Sequence, residues 1–316
     1  MHLLASDPLN HVVDVVLLEI GGVPVLTMHM VTIVVATAIC LYAMSRAARA
    51  IATGPEADGN ERYITKGRFA QMIEAMVVYL RDEMLMPVLG EAHTRRYLPF
   101  LLSLFFFILF NNLFGLLPIL DIIHLTHLDA AFGHKTPVGG TATANLMITG
   151  TLALVSFLMI EAHAFREQGV KGWLIHNFGG LVPGPIFLLP VALIVFVVEV
   201  AGHFIKPTAL AIRLFANMVA GHTLMAVLTG FGLAAAEAGM SKAGIFTIAG
   251  VSGIAAVLIT FLEIFVAFLQ AFIFMFLTAV FISLMSHHDE HEHEAGHEEH
   301  AAGHGEETAP ELQMAT

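Results

Sequence analysis

The sequence predicts an all-α integral membrane protein with about five membrane-crossing helices. Of its 316 residues, 57% are apolar and 13% are charged, and the mean hydropathy is +0.79. A soluble domain carries about 25% charged residues, so this balance excludes an ordinary water-soluble domain. A spanning helix needs about 20 apolar residues. Five stretches are candidates: 28–44, 98–117, 141–165, 186–228 and 244–285.

The last two apolar stretches are unusually long. Each holds some 43 residues, or about 64 Å of helix, against a hydrocarbon core about 30 Å thick. Residues 254–285 contain no Gly or Pro, so a re-entrant loop has nothing to mark its turn. We therefore expect two single, strongly tilted helices that form a hairpin, with a kink at Pro207 in the first of them.

The distribution of Lys and Arg predicts the orientation, because cytoplasmic segments of membrane proteins are enriched in both. Of the 14 basic residues, ten lie on one side of the predicted spans. They are Arg46, Arg49, Arg62, Lys66, Arg68, Arg81, Arg95, Arg96, Arg166 and Lys171. Five crossings then place the N-terminus outside and the C-terminus in the cytoplasm. We expect a multi-pass membrane protein with this orientation.

Between the first two spans, residues 71–88 repeat apolar side chains at helical spacing but include Arg81, Asp82 and Glu83. These charges argue against a crossing. The pattern favours one amphipathic helix that lies in the plane of the cytoplasmic interface. Docking onto a partner helix is the competing interpretation.

These features divide the chain into five segments. They are an outer N-terminal segment (1–27), the first span with the interfacial helix (28–97), a helical hairpin of spans two and three (98–165), the tilted channel hairpin (186–285) and a tail (286–316). The tail holds nine of the 26 acidic residues, seven His and no Lys or Arg, so much of the net charge of −12 belongs to it. We expect a disordered, solvated tail. Binding of zinc or nickel, or proton buffering, is the alternative.

Arg213 is the most informative residue, because it lies inside an apolar stretch long enough to cross a bilayer. Arginine keeps its charge at any accessible pH, and a cation at membrane depth costs roughly 3 kcal/mol on insertion scales. Such a residue usually faces a wet pathway or a mobile counter-charge. Ion translocation is therefore the first functional hypothesis.

Other polar residues share the helix face of Arg213. Relative to Arg213, a helical wheel at 100° per residue gives about 20° for Lys206, about 40° for Glu199 and Asn217, about 80° for His203 and about 180° for His222. The resulting polar stripe is about 27 Å long. In the fifth span, Glu263 and Gln270 are seven residues apart and share a face.

The two long helices run in opposite directions, so the depths of their polar residues can be compared. If Arg213 and Gln270 are level, His222 and Glu263 lie at similar depth toward the outside and can pair. Glu199 lies 14 residues toward the cytoplasm. This arrangement predicts two offset half-pathways with a fixed cation between them. Since no second acid of the stripe lies beside Arg213, we expect a partner subunit to supply one.

Simpler roles are open for several of these residues. Asn217 and Gln270 could bond neighbouring helices, and Lys206 could extend its amine to the interface. His203 could make an ordinary interhelical hydrogen bond. In the outer loop, Asp121 and His124 could gather protons or bind metal, or simply be solvated.

Four segments resemble subunit a of the F-type ATP synthase, the stator half of its membrane proton channel. They are 210–222 (LAIRLFANMVAGH), 269–278 (LQAFIFMFLT), 112–118 (NLFGLLP) and 141–146 (TATANL). The resemblance therefore covers the membrane body, from about residue 98 to 285. Some family members carry His and Glu in the reverse order at the positions of His222 and Glu263, which leaves open which of the two titrates first.

The resemblance implies roles for the polar residues. Arg213 would face a rotating ring of c subunits and prevent a proton short-circuit. His222 and Glu263 would line the outer half-channel, Glu199 would belong to the cytoplasmic one, and Asn217 and Gln270 would lie near the ring. His203, Lys206, Asp121, His124 and Asn145 are secondary candidates.

The expected function is thus a non-catalytic subunit of a proton-transporting ATP synthase, with c-ring proteolipids, b-type stalk subunits and lipid as partners. No phosphate-binding glycine-rich loop with its lysine occurs, so we expect no nucleotide site, cofactor or metal. Without a basic patch, we expect no nucleic-acid partner. Two rivals are a self-contained cation/proton antiporter and a purely structural stator.

Overall fold

The computed structural model describes residues 16–21, 23–50, 64–117, 142–179 and 186–286. Its helices are α1 (Met28–Arg49), α2 (Arg68–Tyr79), α3 (Met86–Gly115), α4 (Leu146–Glu167), α5 (Gly169–Asn177), α6 (Leu189–Glu237) and α7 (Lys242–Ser286). A π-helical segment, Leu80–Leu85, joins α2 to α3, and short 3-10 turns precede α4 (Ala142–Ala144) and α6 (Ile186–Leu188). Within these ranges, five helical stretches are long and apolar enough to cross a membrane. The protein is therefore an all-α membrane protein, as the sequence predicts.

A short antiparallel hairpin precedes α1, and the sequence analysis did not anticipate it. Strand β1 (Val16–Ile20) pairs with β2 (Val23–Thr27), and Ile20 lies opposite Val23. Gly21 has a φ of 62° at the turn, a conformation that glycine adopts at little cost. The Thr27 hydroxyl accepts a hydrogen bond from the Met30 amide and so begins α1.

The predicted amphipathic segment and the second span form one continuous helical stretch. α2, the π-helical segment and α3 follow each other without a gap, and the bend falls at Gly90, where φ is 72° and ψ is 169°. The apolar face of this region packs on the protein's own helices, where Ile73, Leu80 and Leu85 join the main core. The segment is therefore docked as well as amphipathic. Its position in the plane of a membrane remains a prediction.

The two long stretches are single helices. α6 has 49 residues and passes through Pro207 without a break, and α7 has 45 residues. They are about 74 Å and 68 Å long at 1.5 Å per residue, well above the thickness of a hydrocarbon core. The structure thus agrees with two unbroken helices rather than four short ones. Gly239, with a φ of 69°, lies in the turn between them.

The core lies where α3, α4, α6 and α7 meet. α7 packs along both α6 and α3, and α4 packs against α6. The largest side chains that this core buries completely include Phe105, Ile108, Leu214, Phe274 and Ile282. This packing fixes the faces that α6 presents to its neighbours and the faces that it leaves open.

Candidate ion pathway around Arg213

Arg213 lies at the middle of α6, with its side chain exposed on the surface of the protein. Its neighbours Leu210, Ala211 and Leu214 are buried in the core, so the helix turns Arg213 away from its own chain. Among the described residues, Arg213 makes no ion pair with a carboxylate. An unpaired guanidinium at this position is expensive unless something outside the chain meets it.

Contacts between α6 and α7 set the register of the hairpin. Met218 packs with Ala267, and the Thr260 hydroxyl lies 3.8 Å from the sulfur of Met225. Both contacts fit one antiparallel register. Moving seven residues forward along α6, from Met218 to Met225, corresponds to moving seven residues back along α7, from Ala267 to Thr260. That register places Arg213 within about two residues of the level of Gln270. The same register places His222 at the level of Glu263.

Glu263 packs directly on the backbone of α6. A Cβ built on Gly221 would lie 2.2 Å from Glu263 Oε1, so only a glycine leaves room for the carboxyl group in its present position. Gly221 immediately precedes His222, and both His222 and Glu263 are half-buried. The structure therefore places Glu263 against the α6 backbone at the level of His222. That the two residues line an outer half-channel remains a prediction.

Gln270 is 3% exposed, and its Nε2 finds no hydrogen-bond partner among the described residues. Asn217 is half-buried one turn beyond Arg213. An unsatisfied buried donor costs about 1–3 kcal/mol, so the Gln270 amide needs a partner that the described residues do not supply. The roles of Gln270 and Asn217 in translocation remain predictions.

The polar motifs at the end of the second span and the start of the third meet beside α7. The Thr143 hydroxyl donates to Asn112 Oδ1 at 2.9 Å, and Asn112 Nδ2 donates to the carbonyl of Ala267 at 3.4 Å. Asn145 begins α4, where its Oδ1 accepts from the Met147 amide at 2.9 Å. The structure thus gives Asn145 a capping role, and a part in translocation remains a prediction for it.

A second polar group lies on the other side of Arg213, in a cleft between α4, α6 and α7. His203 Nδ1 bonds Glu161 Oε1 on α4, and Trp173 Nε1 on α5 donates to Glu161 Oε2 at 3.1 Å. Both side chains of the pair are largely buried, with exposures of 6% for His203 and 12% for Glu161. His203 lies ten residues before Arg213, which is about 15 Å along the helix.

Two further predicted residues lie on α6 beside this cleft. Lys206 lines it, with its Nζ 5.1 Å from the centre of the Phe281 ring. The Lys206 amine therefore makes a cation–π contact with α7. The predicted extension of this amine toward the membrane interface remains a prediction. Glu199 is half-buried one turn before His203, so the two share a face of the helix.

Glu161 was missed as a site residue, although a signal for it was present. The residue is an acid inside the predicted third span, and acids within spans are rarely incidental. The predicted pairing joined polar residues of the last two helices with each other, whereas Glu161 lies in the third span. Asp121, His124 and the His-rich tail lie outside the described residues, so the structure does not bear on them. Groups of His, Cys, Asp or Glu able to hold a metal are absent from the described ranges.

Comparisons of the sequence with a family model and with known proteins indicate the same family. The sequence model of the ATP synthase A chain family matches residues 25–283. A protein of Chlorobium phaeobacteroides named ATP synthase subunit a is 34% identical over 280 residues, covering 88% of this chain and 70% of that protein.

Two myxobacterial relatives with the same name match shorter segments. The protein of Anaeromyxobacter dehalogenans strain 2CP-1 is 42% identical over 158 residues, which is 50% of this chain and 35% of that protein. The protein of Myxococcus xanthus is 38% identical over 169 residues, which is 54% of this chain and 48% of that protein. The match thus spans less than half the length of each of these two relatives. Because the family model covers most of the membrane body, including Arg213 and both of its flanking groups, the chain belongs to the ATP synthase A chain family.

Proposed function

We propose that this chain is the proton-translocating stator subunit in the membrane sector of a rotary ATP synthase. Two offset half-channels carry protons to and from carboxylates on a rotating ring of c subunits, and Arg213 prevents a direct leak between them. One observation carries the proposal: Arg213 is exposed at the middle of α6 without a carboxylate partner among the described residues, and a polar group lies on each side of it.

The surface around Arg213 suits a partner helix. Exposed residues recur along α6 at helical spacing and include Ile205, Ala209, Ile212, Ala216 and Ala220. Small side chains at such a position let another helix approach closely within a membrane. Arg213 lies at the margin of this stripe, where a partner's carboxylate would meet the guanidinium.

The half-channel on one side would contain His222 and Glu263, and the half-channel on the other would contain Glu199. The excess of basic residues in the connecting segments supports an outward-facing His222–Glu263 side and a cytoplasmic Glu199 side. The C-terminus then lies in the cytoplasm of a bacterial cell, and b-type stalk subunits hold the chain against the turning ring. ATP synthesis itself takes place on other subunits.

A self-contained antiporter is the alternative, and it fits this structure less well. An antiporter completes its ion site within one chain, whereas Arg213 has no carboxylate partner among the described residues. Membership in the ATP synthase A chain family also weighs against it.

The test replaces Arg213 with Ala in the whole complex and reconstitutes that complex in liposomes. We expect the subunits to assemble and ATP-driven proton uptake to be abolished, because the partner carboxylates lose their fixed counter-charge. Acidification of the liposome lumen measures the uptake, and protein composition measures assembly. Pumping at the normal rate by the Arg213→Ala complex would favour a purely structural stator.

A further inference from the structure

The cleft on the Glu199 side of Arg213 contains an acid–imidazole pair that the family motifs in the sequence did not suggest. Glu161 contributes the acid from α4 and His203 contributes the imidazole from α6. The two residues are 42 positions apart in sequence, and their bond joins α4 to α6. The roles proposed above for the α6–α7 hairpin do not use it.

The carboxyl group of Glu161 is held at both oxygens. One oxygen bonds His203 Nδ1 and the other accepts from Trp173 Nε1 at 3.1 Å. The Trp173 ring also meets the His203 ring edge to face, with centroids 6.0 Å apart. A carboxylate fixed at the Nδ1 of an imidazole sets the tautomer and stabilises the protonated ring.

The opposite nitrogen of the same ring is buried without a partner. His203 Nε2 makes no hydrogen bond to any described residue, and neither does the hydroxyl of Ser156, which is 1% exposed. Both side chains line the cleft. An unsatisfied buried polar atom is destabilising, and a bridging water would offset that penalty. The cleft therefore offers two unpartnered polar atoms to a bridging water.

Among the described residues, the charged groups nearest to His203 lie on α4 and on α6 itself. Glu161 faces it from α4, while Glu199 and Lys206 lie about one turn away on α6 itself. The groups that α5 and α7 bring to this region, Trp173 and Phe281, do not titrate. Proton exchange here therefore depends on His203 and on three charged neighbours.

We propose that His203 passes protons between water on the Glu199 side and water near Arg213, and that Glu161 is its positioning residue. Nε2 takes a proton from one water and gives it to the next, so each transfer leaves the ring as it began. Glu161 stabilises the imidazolium between these two steps without itself taking the proton. This inference rests on the proposed function, because it concerns the same proton path.

The test uses Glu161→Gln in the whole complex reconstituted in liposomes. Glutamine keeps the size of the side chain and an oxygen that can accept from Nδ1, so the link between α4 and α6 survives, although its amide nitrogen cannot accept from Trp173 Nε1. We expect proton conduction on the order of tenfold to a hundredfold slower, in line with the loss of a positioned acid–base function. The dependence of the remaining conduction on pH should also differ from that of the unaltered complex, because the proton-exchanging pair has lost its acid. Glu161→Asp should recover part of the rate.

Glu167→Gln is the matched control. Glu167 lies on the same helix, and its ion pair with Arg96 at 2.9 Å is partly exposed. The complex with Glu167→Gln should therefore conduct protons as the unaltered complex does. Arg213→Ala, measured alongside, separates the two proposals. If Arg213→Ala abolishes pumping while assembled Glu161→Gln conducts normally with an unchanged pH profile, the inference about the pair is wrong and the proposed function stands. If Arg213→Ala pumps normally, the proposed function itself is wrong.

Discussion

The two sides of Arg213 hold their acids in different ways. On one side, Glu263 of α7 lies against the bare backbone of Gly221 on α6. On the other, Glu161 reaches His203 from α4 and accepts a second bond from Trp173 on α5. The first site needs only the hairpin, whereas the second needs three helices.

The two acids therefore depend on different features of their surroundings. Glu263 depends on space, since one added methyl group at Gly221 would occupy the position of its carboxyl oxygen. Glu161 depends on hydrogen-bond donors, since both of its oxygens are bonded by ring N–H groups or ring nitrogens. Substitutions that change volume and substitutions that remove a donor should therefore affect the two sides differently.

The largest effect should follow from Glu263→Gln. The change keeps the shape of the side chain but removes its ability to exchange protons, so we expect conduction to fall by about 10²-fold or more. Proton flux through the reconstituted complex measures the effect. Glu237→Gln, at the exposed end of the same hairpin, is the control and should conduct normally. Normal flux through the Glu263→Gln complex would remove this residue from the path.

Gly221→Ala should have the next largest effect, and it tests the dependence on space. The new methyl group displaces the Glu263 carboxyl, and we expect roughly tenfold slower conduction. Stability should change little, because a flexible side chain can move and alanine favours a helix by up to about 1 kcal/mol over glycine.

Gly230→Ala is the matched control for this change. Gly230 lies on the same helix, and nothing lies within 4 Å of a Cβ built there. Conduction by this variant should be unchanged. Equal conduction by both variants would mean that the contact between Glu263 and Gly221 has no functional weight.

The smallest effect should follow from Trp173→Phe, which tests the dependence on donors. Phenylalanine retains most of the ring packing but removes the N–H that bonds Glu161. A hydrogen bond to a charged group contributes roughly 1.5–3 kcal/mol, so the thermal midpoint of the purified protein should fall. Conduction should drop only a few-fold, since His203 still bonds the carboxyl group. An unchanged midpoint would show that this bond carries no net stability.

The long helices could be predicted because their signals are local. No Gly or Pro interrupts residues 254–285, and the structure has one helix there. The continuity of α2 with α3 was harder to predict, because charges at Arg81, Asp82 and Glu83 suggest an end to the apolar pattern. The β1–β2 hairpin had a signal in its two apolar runs around Gly21 and Gly22, but the sequence analysis did not use it.

The two polar groups that flank Arg213 differ in how much of their geometry could be predicted from the sequence. The level of Glu263 with His222 follows from antiparallel direction and the spacing of residues on two consecutive helices. The bond between Glu161 and His203 follows from the rotation of α4 against α6, which tertiary packing sets. The acid itself was visible in the sequence, and only its partner required the structure.

The proposed function depends most on a contact between Arg213 and an acid of another polypeptide. The direct measurement places a photo-reactive residue at Ile212, which is 51% exposed, and identifies the cross-linked product in native membranes. Leu214, fully buried in the core, is the control position. If Arg213 meets such an acid, position 212 should capture a small partner subunit with a carboxylate inside its membrane span. Position 214 should capture only this chain. Capture of lipid alone, or of this chain alone, from position 212 would contradict the proposed contact.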